Sequence, residues 1–281
     1  MIILKGAEVS EKLKEQVLER VAGLGGYVPT AAIVRVGERP DDLSYEKGVM
    51  KKIAAFGMGA KSYAFPGDIS EEEFVEEFKK INDDENIDGI LLFMPLPKHM
   101  NGKTFENLIV PEKDLDGISP VNRAKVFAGE ADGYAPCTAE AVIETLKAFG
   151  IPMTGKRAVV VGRSMVVGRP LSMLFLKENA TVTVCHTKTA DLKAVCNEAE
   201  ILVAAVGKAG MLDQDYVAEG AVVLDVGINV DENGRLCGDV KWDGLEAKAS
   251  AATPVPGGIG AVTTAVLCKH LAQAAMRKHG K

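Results

Sequence analysis

Residues 158–176, AVVVGRSMVVGRPLSMLFL, constrain the fold of this chain more than any other stretch. The apolar run 158–161 suits a strand buried on both faces, as in a parallel sheet. A loop follows over 162–167, and from Gly168 the apolar spacing becomes helical. Strand, glycine loop and helix in that order form a phosphate cradle, in which backbone N–H groups and the positive helix end face an anion. The spacing is Gly-x-Ser-x-x-x-Gly, so Ser164 stands where a second glycine would let a pyrophosphate approach the backbone. Taken alone, the loop fits a tight strand-to-helix turn that binds nothing almost as well.

Around this loop, apolar runs of strand length alternate with amphipathic runs of helix length, the pattern of βαβ units and a mainly parallel sheet. Strands are expected over 31–36, 60–65 and 89–94, with helices over 7–24, 42–56 and 70–81. Ser70 followed by Glu73 carries the signature of a capping box. Residues 95–136 read as loop and hold the turn Asp114-Leu115-Asp116-Gly117; a helix over 138–149 and a break over 150–155 follow. Beyond the break, strands over 158–161, 181–184, 201–205 and 221–226 alternate with helices over 169–178 and 189–197, and a helix over 261–279 ends the pattern. A chain of 281 residues exceeds one usual compact domain, so two α/β domains are expected, 1–149 and 150–260, with 261–281 as a C-terminal helix.

Charge and cysteine usage remove several function classes. Thirty-three Lys and Arg against 39 Asp and Glu leave a net charge of −6, which argues against nucleic acid as the main partner. No run of about 20 uncharged apolar residues exists, so a transmembrane helix is not expected. The opening segment MIILKGAEVSEKLKEQ turns charged within five residues, unlike a secretory signal. Cys137, Cys185, Cys196, Cys237 and Cys268 are odd in number and form no Cys-x-x-Cys, so free thiols in a reducing cytoplasm are expected, and no metal site.

The run GRSMVVGRP (162–170) is joined by VGERPDDLSY (36–45), PLP (95–97), KDLDG (113–117), PCT (136–138), TVCHTKT (183–189), VLDVGIN (223–229), GDV (238–240) and TPVPGGIGAVT (253–263). In this order, and over nearly the whole chain, these segments resemble the methylenetetrahydrofolate dehydrogenase/methenyltetrahydrofolate cyclohydrolase family. The resemblance implies a folate-binding catalytic domain over 1–149, a Rossmann-like NAD(P)-binding domain over 150–260, a cleft between them, and a C-terminal helix packing back on the first domain. It also implies a homodimer acting on a tetrahydrofolate derivative in one-carbon metabolism.

Site residues follow from the same resemblance. Asp116, otherwise a turn residue bonding its own backbone, would grip the pterin, whose paired donors suit a carboxylate. Tyr45, otherwise a core-edge aromatic, would stack on the flat substrate beside Pro95 and Leu96, making Tyr45 and Asp116 the expected catalytic pair. Gly257 and Gly258, otherwise a plain turn, would lie where absent side chains let substrate and nicotinamide come close. The cofactor diphosphate would sit over Gly162, Arg163, Ser164, Val167 and Gly168, with Gly227 and Ile228 further along. After Val184 comes Cys185-His186-Thr187-Lys188, with no acid where a strict NAD enzyme places one for the ribose 2′-hydroxyl. Arg163, Ser164, Thr187 and Lys188 offer donors and positive charge for a 2′-phosphate, so NADP is the expected cofactor. His186 is given no catalytic role.

Two positions depart from the family. Its Tyr-x-x-x-Lys carries the cyclohydrolase lysine, but four residues after Tyr45 stands Val49. Two residues before Pro-Leu-Pro, where the family has glutamine, stands Phe93. At about 100° per residue, Lys47 faces away from Tyr45, Lys51 is displaced by about 120°, and Lys52 returns to the face roughly 10 Å further along. Hydride transfer asks the protein chiefly to align two molecules. Hydrolysis of the methenyl cation needs proton movement, which a tuned lysine supplies. The expectation is an NADP-dependent dehydrogenase with weak or absent cyclohydrolase activity; full bifunctional activity and a non-catalytic folate- or nucleotide-binding regulator are the alternatives.

Overall fold

A computed structural model describes residues 1–280. In chain order its elements are β1 (Ile2–Ile3), α1 (Gly6–Ala22), β2 (Thr30–Val36), α2 (Pro40–Ala55), β3 (Gly59–Phe65), α3 (Glu71–Asp83), β4 (Gly89–Leu92), α4 (Gly102–Leu108), α5 (Pro120–Ala128) and α6 (Cys137–Ala148). They continue with β5 (Arg157–Val161), α7 (Gly168–Lys177), β6 (Thr181–Cys185), α8 (Leu192–Cys196), β7 (Ile201–Ala204), β8 (Val222–Asp225), β9 (Asn229–Val230), β10 (Leu236–Cys237), β11 (Ala251–Ala252) and α9 (Ile259–His279). Two compact units divide the chain: residues 13–135 with the chain from 264 on, and residues 1–12 with 136–263.

In the first unit the sheet runs β3-β2-β4, all parallel. The apolar run of β2 is buried along nearly its whole length, which places it in the middle, while β3, with Lys61 and Ser62 exposed, takes an edge. Phe74, Phe78 and Ile81 recur at helical spacing on α3 and close over β2 and β4 together with Phe105. The capping box forms: Ser70 accepts from the Glu73 N–H at 3.2 Å, and the Glu73 carboxylate accepts from the Ser70 N–H at 3.3 Å. Helix α2 is held by buried Glu46, which takes the Arg35 guanidinium at 2.7 Å and the Ser62 hydroxyl.

The second unit holds a sheet of order β1-β11-β8-β7-β5-β6, parallel throughout. Strands β5, β7 and β8 are almost wholly buried, as their unbroken apolar runs require, whereas β6 lies at an edge and is largely exposed.

Four departures from the sequence reading have local causes. The division falls at 135/136 rather than 149/150, because α6 packs beside α7. The first residues belong to the second unit, because Ile2 and Ile3 pair with Ala251 and Ala252. A two-residue strand carries no period to read. The stretch expected as loop over 95–136 contains α4 and α5, begun by Asn101 and by Ser119 with Pro120, ordinary helix-starting residues. Helix α8 is shorter than expected, because Asp191, at φ 44°, caps it from inside the expected span.

The cysteines are unpaired and mostly buried. No helix among the described residues is long and apolar enough to cross a membrane. No group of three or more His, Cys, Asp or Glu among them is arranged to hold a metal ion.

Candidate functional site

The loop after β5 is closed by glycines that leave no room for side chains. A Cβ at Gly168 would lie 2.6 Å from the carbonyl carbon of Gly162 and 2.9 Å from the Cα of Arg163. A Cβ at Gly162, at φ 131°, would run into the Ala205 carbonyl just beyond β7. Ser164 ties the loop to itself: its hydroxyl oxygen accepts from the Val167 N–H at 3.1 Å, and its carbonyl accepts from the Arg169 N–H at 3.1 Å. The hydroxyl proton is left to donate. The Arg169 and Leu171 N–H groups are taken by the Ser164 and Val167 carbonyls and Pro170 has none, so what α7 brings to the loop is the positive end of its dipole. Arg163 and Arg169 are exposed beside it. This geometry suits an anion such as a diphosphate, and its donors suit a dinucleotide.

At the end of β6, the turn is held by the Thr189 hydroxyl oxygen, which accepts from the His186 N–H at 2.8 Å. His186 Nδ1 accepts from the Lys188 N–H at 3.1 Å, which gives this histidine a structural task. Thr187 and Lys188 are exposed, and the next acid along, Asp191, accepts from the Ala194 N–H at 3.2 Å. Within residues 185–188 there is still no carboxylate for a ribose hydroxyl.

The Gly257–Gly258 turn is braced from the N-terminus. The Gly6 N–H donates to the Gly257 carbonyl at 2.8 Å, and a Cβ on Gly6 would strike the Gly258 carbonyl. Gly227, Ile228 and this turn all follow carboxyl ends of strands in the same sheet. A charged depression at the amino ends of β5, β7 and β8 is a poor competitor, since its Lys156 and Glu200 pair with each other at 2.9 Å.

In the other unit Tyr45 stands on α2 with 42 % of its surface exposed, its ring centroid 5.3 Å from that of Phe93. Val49 is fully buried and Phe93 nearly so, so neither departing position offers a proton-carrying group. Lys47 and Lys51 are exposed, and the Lys52 ammonium lies 5.7 Å from the Phe56 ring centroid. In the Asp114-Leu115-Asp116-Gly117 turn, Asp114 does the structural work: its fully buried carboxylate accepts from Ile118 N, Ser119 N and Asn122 Nδ2 at 2.8–3.0 Å. Asp116 is partly exposed two residues on, and Pro95 and Leu96 are likewise partly or fully exposed. His270 on α9 donates from Nδ1 to the Leu115 carbonyl at 2.7 Å, one residue from Asp116.

Sequence reasoning did not single out Gly6, Asp114, His270, Asp225, Asp239 or Thr253. Asp225, Asp239 and Thr253 lie inside quoted segments, and two glycines closely flanking buried acids were the available signal.

Two family profiles match the chain. One, described as tetrahydrofolate dehydrogenase/cyclohydrolase, catalytic domain, covers residues 4–116. The other, described as tetrahydrofolate dehydrogenase/cyclohydrolase, NAD(P)-binding domain, covers 136–279. The bifunctional protein FolD of Clostridium kluyveri is 48 % identical over 280 residues, with 99 % of each chain covered. A crystal structure of the bifunctional enzyme FolD, methylenetetrahydrofolate dehydrogenase/cyclohydrolase, from Campylobacter jejuni superposes with a TM-score of 0.96 at 36 % identity, covering 99 % of each chain. The Trypanosoma brucei methylenetetrahydrofolate dehydrogenase-cyclohydrolase complexed with NADP cofactor and inhibitor gives 0.92 at 33 % identity, covering 100 % of this chain and 99 % of that one.

Proposed function

The chain belongs to the tetrahydrofolate dehydrogenase/cyclohydrolase family, and from that premise we propose that it is an NADP-dependent 5,10-methylenetetrahydrofolate dehydrogenase that also hydrolyses the methenyl product. The observation that carries the first activity is the 162–168 loop, where a Cβ at Gly162 or Gly168 would run into backbone and where α7 presents its positive end. Arg163, Ser164, Thr187 and Lys188 are read as the 2′-phosphate donors, and Gly227, Ile228 and Val167 as further cofactor contacts. Tyr45 stacks on the pterin, Asp116 accepts from its aminopyrimidinone edge, and Pro95, Leu96, Gly257 and Gly258 complete the substrate contacts.

The nicotinamide ring supplies the hydride acceptor when NADP is bound. The substrate's own nitrogen lone pair supplies the push, so this chain's residues bind, orient and exclude water. The bifunctional relatives support the hydrolytic step, which in this chain would proceed without lysine at 49 or glutamine at 93. We place the enzyme in the cytoplasm as a homodimer, a reading supported by its unpaired cysteines and by the family resemblance.

A second reading has a specific observation in its favour. Val49 and Phe93 fill the two positions with buried hydrocarbon, which neither donates nor accepts a proton, so hydrolysis would be lost and the methenyl product released. One experiment tests both readings. Purified protein with NADP and methylenetetrahydrofolate is followed for NADPH formation and then for decay of the methenyl absorbance. NADPH formation with decay above the buffer rate supports the two-activity enzyme; decay at the buffer rate supports the second reading; no NADPH overturns both.

A further inference from the structure

Two buried carboxylates knit together the loops at the carboxyl edge of the second unit's sheet. Asp239, fully buried, accepts from three successive backbone N–H groups beyond β7: Val206 at 2.6 Å, Gly207 at 3.0 Å and Lys208 at 2.8 Å. It also accepts from Asn229 Nδ2 at 2.9 Å. Asp225, at the end of β8, accepts from Gly227 N at 2.9 Å, Asp239 N at 3.0 Å and Val240 N at 2.9 Å. The Asp225 N–H in turn donates to the Thr253 hydroxyl oxygen at 2.8 Å, which ties in the segment leading to Gly257. Each carboxylate fills space that a glycine leaves open. A Cβ on Gly227 would lie 2.6 Å from Asp239 N, and one on Gly238 would strike the Asp225 carboxylate.

The place of these loops gives the pair its meaning. In a doubly wound sheet a dinucleotide lies over the carboxyl ends of the strands, where the strand order reverses. Here β5 has β6 on one side and β7 on the other, so the reversal falls between β5 and β7. The β5–β6 side, with the phosphate loop and residues 186–188, accounts for the adenosine half. The β7–β8 side is left for the nicotinamide half, and the Cβ position of Gly162 lies only 2.9 Å from the Ala205 carbonyl carbon at its border. We propose that Asp239 and Asp225 are positioning residues that hold the loops after β7 and β8 in the one arrangement that receives the nicotinamide end of the cofactor. A carboxylate accepting consecutive N–H groups fixes a loop far more tightly than water does, and an unmatched acceptor there would cost the loop its shape. Burial pushes Asp225 up to about 6 in spite of its three donors, so the fold bears an electrostatic cost at this edge.

This inference rests on the NADP reading above, and the test separates the two. Binding of NADP and of 2′-phospho-ADP-ribose, which lacks the nicotinamide, is measured by calorimetry for the wild type, Asp239→Asn and the milder Asn229→Ala, alongside kcat and KM for both substrates. Wild type is expected to bind both compounds. In Asp239→Asn, NADP affinity and kcat should each fall by about tenfold or more, with 2′-phospho-ADP-ribose within about twofold of wild type. Asn229→Ala should show the same pattern in weaker form and decides the matter if Asp239→Asn does not fold. Parallel loss of both compounds in a folded variant, or unchanged NADP binding and kcat, overturns the proposal. Failure of the wild type to bind either compound overturns the NADP reading, and this inference with it.

Discussion

Replacing Gly168 by alanine sets two opposed effects against each other at one atom. Gly168 opens α7, and on helix propensity alone alanine would stabilise by up to about 1 kcal/mol. The added Cβ, however, would lie 2.6 Å from the Gly162 carbonyl carbon and 2.9 Å from the Arg163 Cα. The Gly162 carbonyl oxygen is nearer still and every obstacle is backbone, so the loop and the helix start must separate by more than 1 Å to restore ordinary contact. Overpacking of this kind costs about 1–3 kcal/mol, and a 1 Å misplacement at a binding loop costs roughly 100-fold in catalysis. Net stability should therefore change little, within about 2 kcal/mol and a few degrees in Tm. NADP-dependent kcat/KM should fall by about 10- to 100-fold, mostly through KM for NADP. The assay is NADPH formation at saturating methylenetetrahydrofolate over a range of NADP, with Tm measured on the same preparation. A variant with raised Tm and NADP kinetics within twofold of wild type would show that the loop has room, and the cradle argument would fail.

Other consequences follow from the same geometry. Asp116→Ala should weaken folate use by about 2–5 kcal/mol in kcat/KM while leaving KM for NADP nearly unchanged, since a desolvated charged partner is lost; unchanged folate kinetics would count against the pterin contact. NADP should exceed NAD in kcat/KM, and Arg163→Ala should narrow the gap by weakening NADP more; equal use of both by the wild type would contradict the donor set read here. Asp225 titrates near 6 in the fold against 3.8 in an open chain, because burial disfavours its charge. Its stabilising contribution is thus fully present below about 3.8 and is lost as pH rises through 6, an effect of about 3 kcal/mol. Chemical denaturation between pH 4 and 7 should show a shallower fall in stability for Asp225→Asn than for wild type, and identical slopes would refute the shift.

What the sequence determined by itself is what local chemistry encodes. The apolar run at 158–161, short and followed by a glycine loop, suits a strand covered on both faces, and β5 is one. Ser70 and Glu73 satisfy each other's N–H groups within one helical turn, so the start of α3 needed no tertiary information. The glycines at 162 and 168 announce a close backbone approach in the same way. Other features were settled only by packing, since they join residues with no shared period. Ile2 and Ile3 find Ala251 and Ala252 across almost the whole chain, and so move the N-terminus into the second unit. His270 reaches the Leu115 carbonyl from 155 residues away. Asp239 gathers the N–H groups of residues 206–208 from 31 to 33 positions off. In each of these contacts at least one partner is backbone, which every residue possesses, so no side-chain pattern marks the site in advance. Only the fold, by bringing strand ends to one edge and excluding water from them, decides which backbone groups need an acceptor and which acid lies near enough to serve.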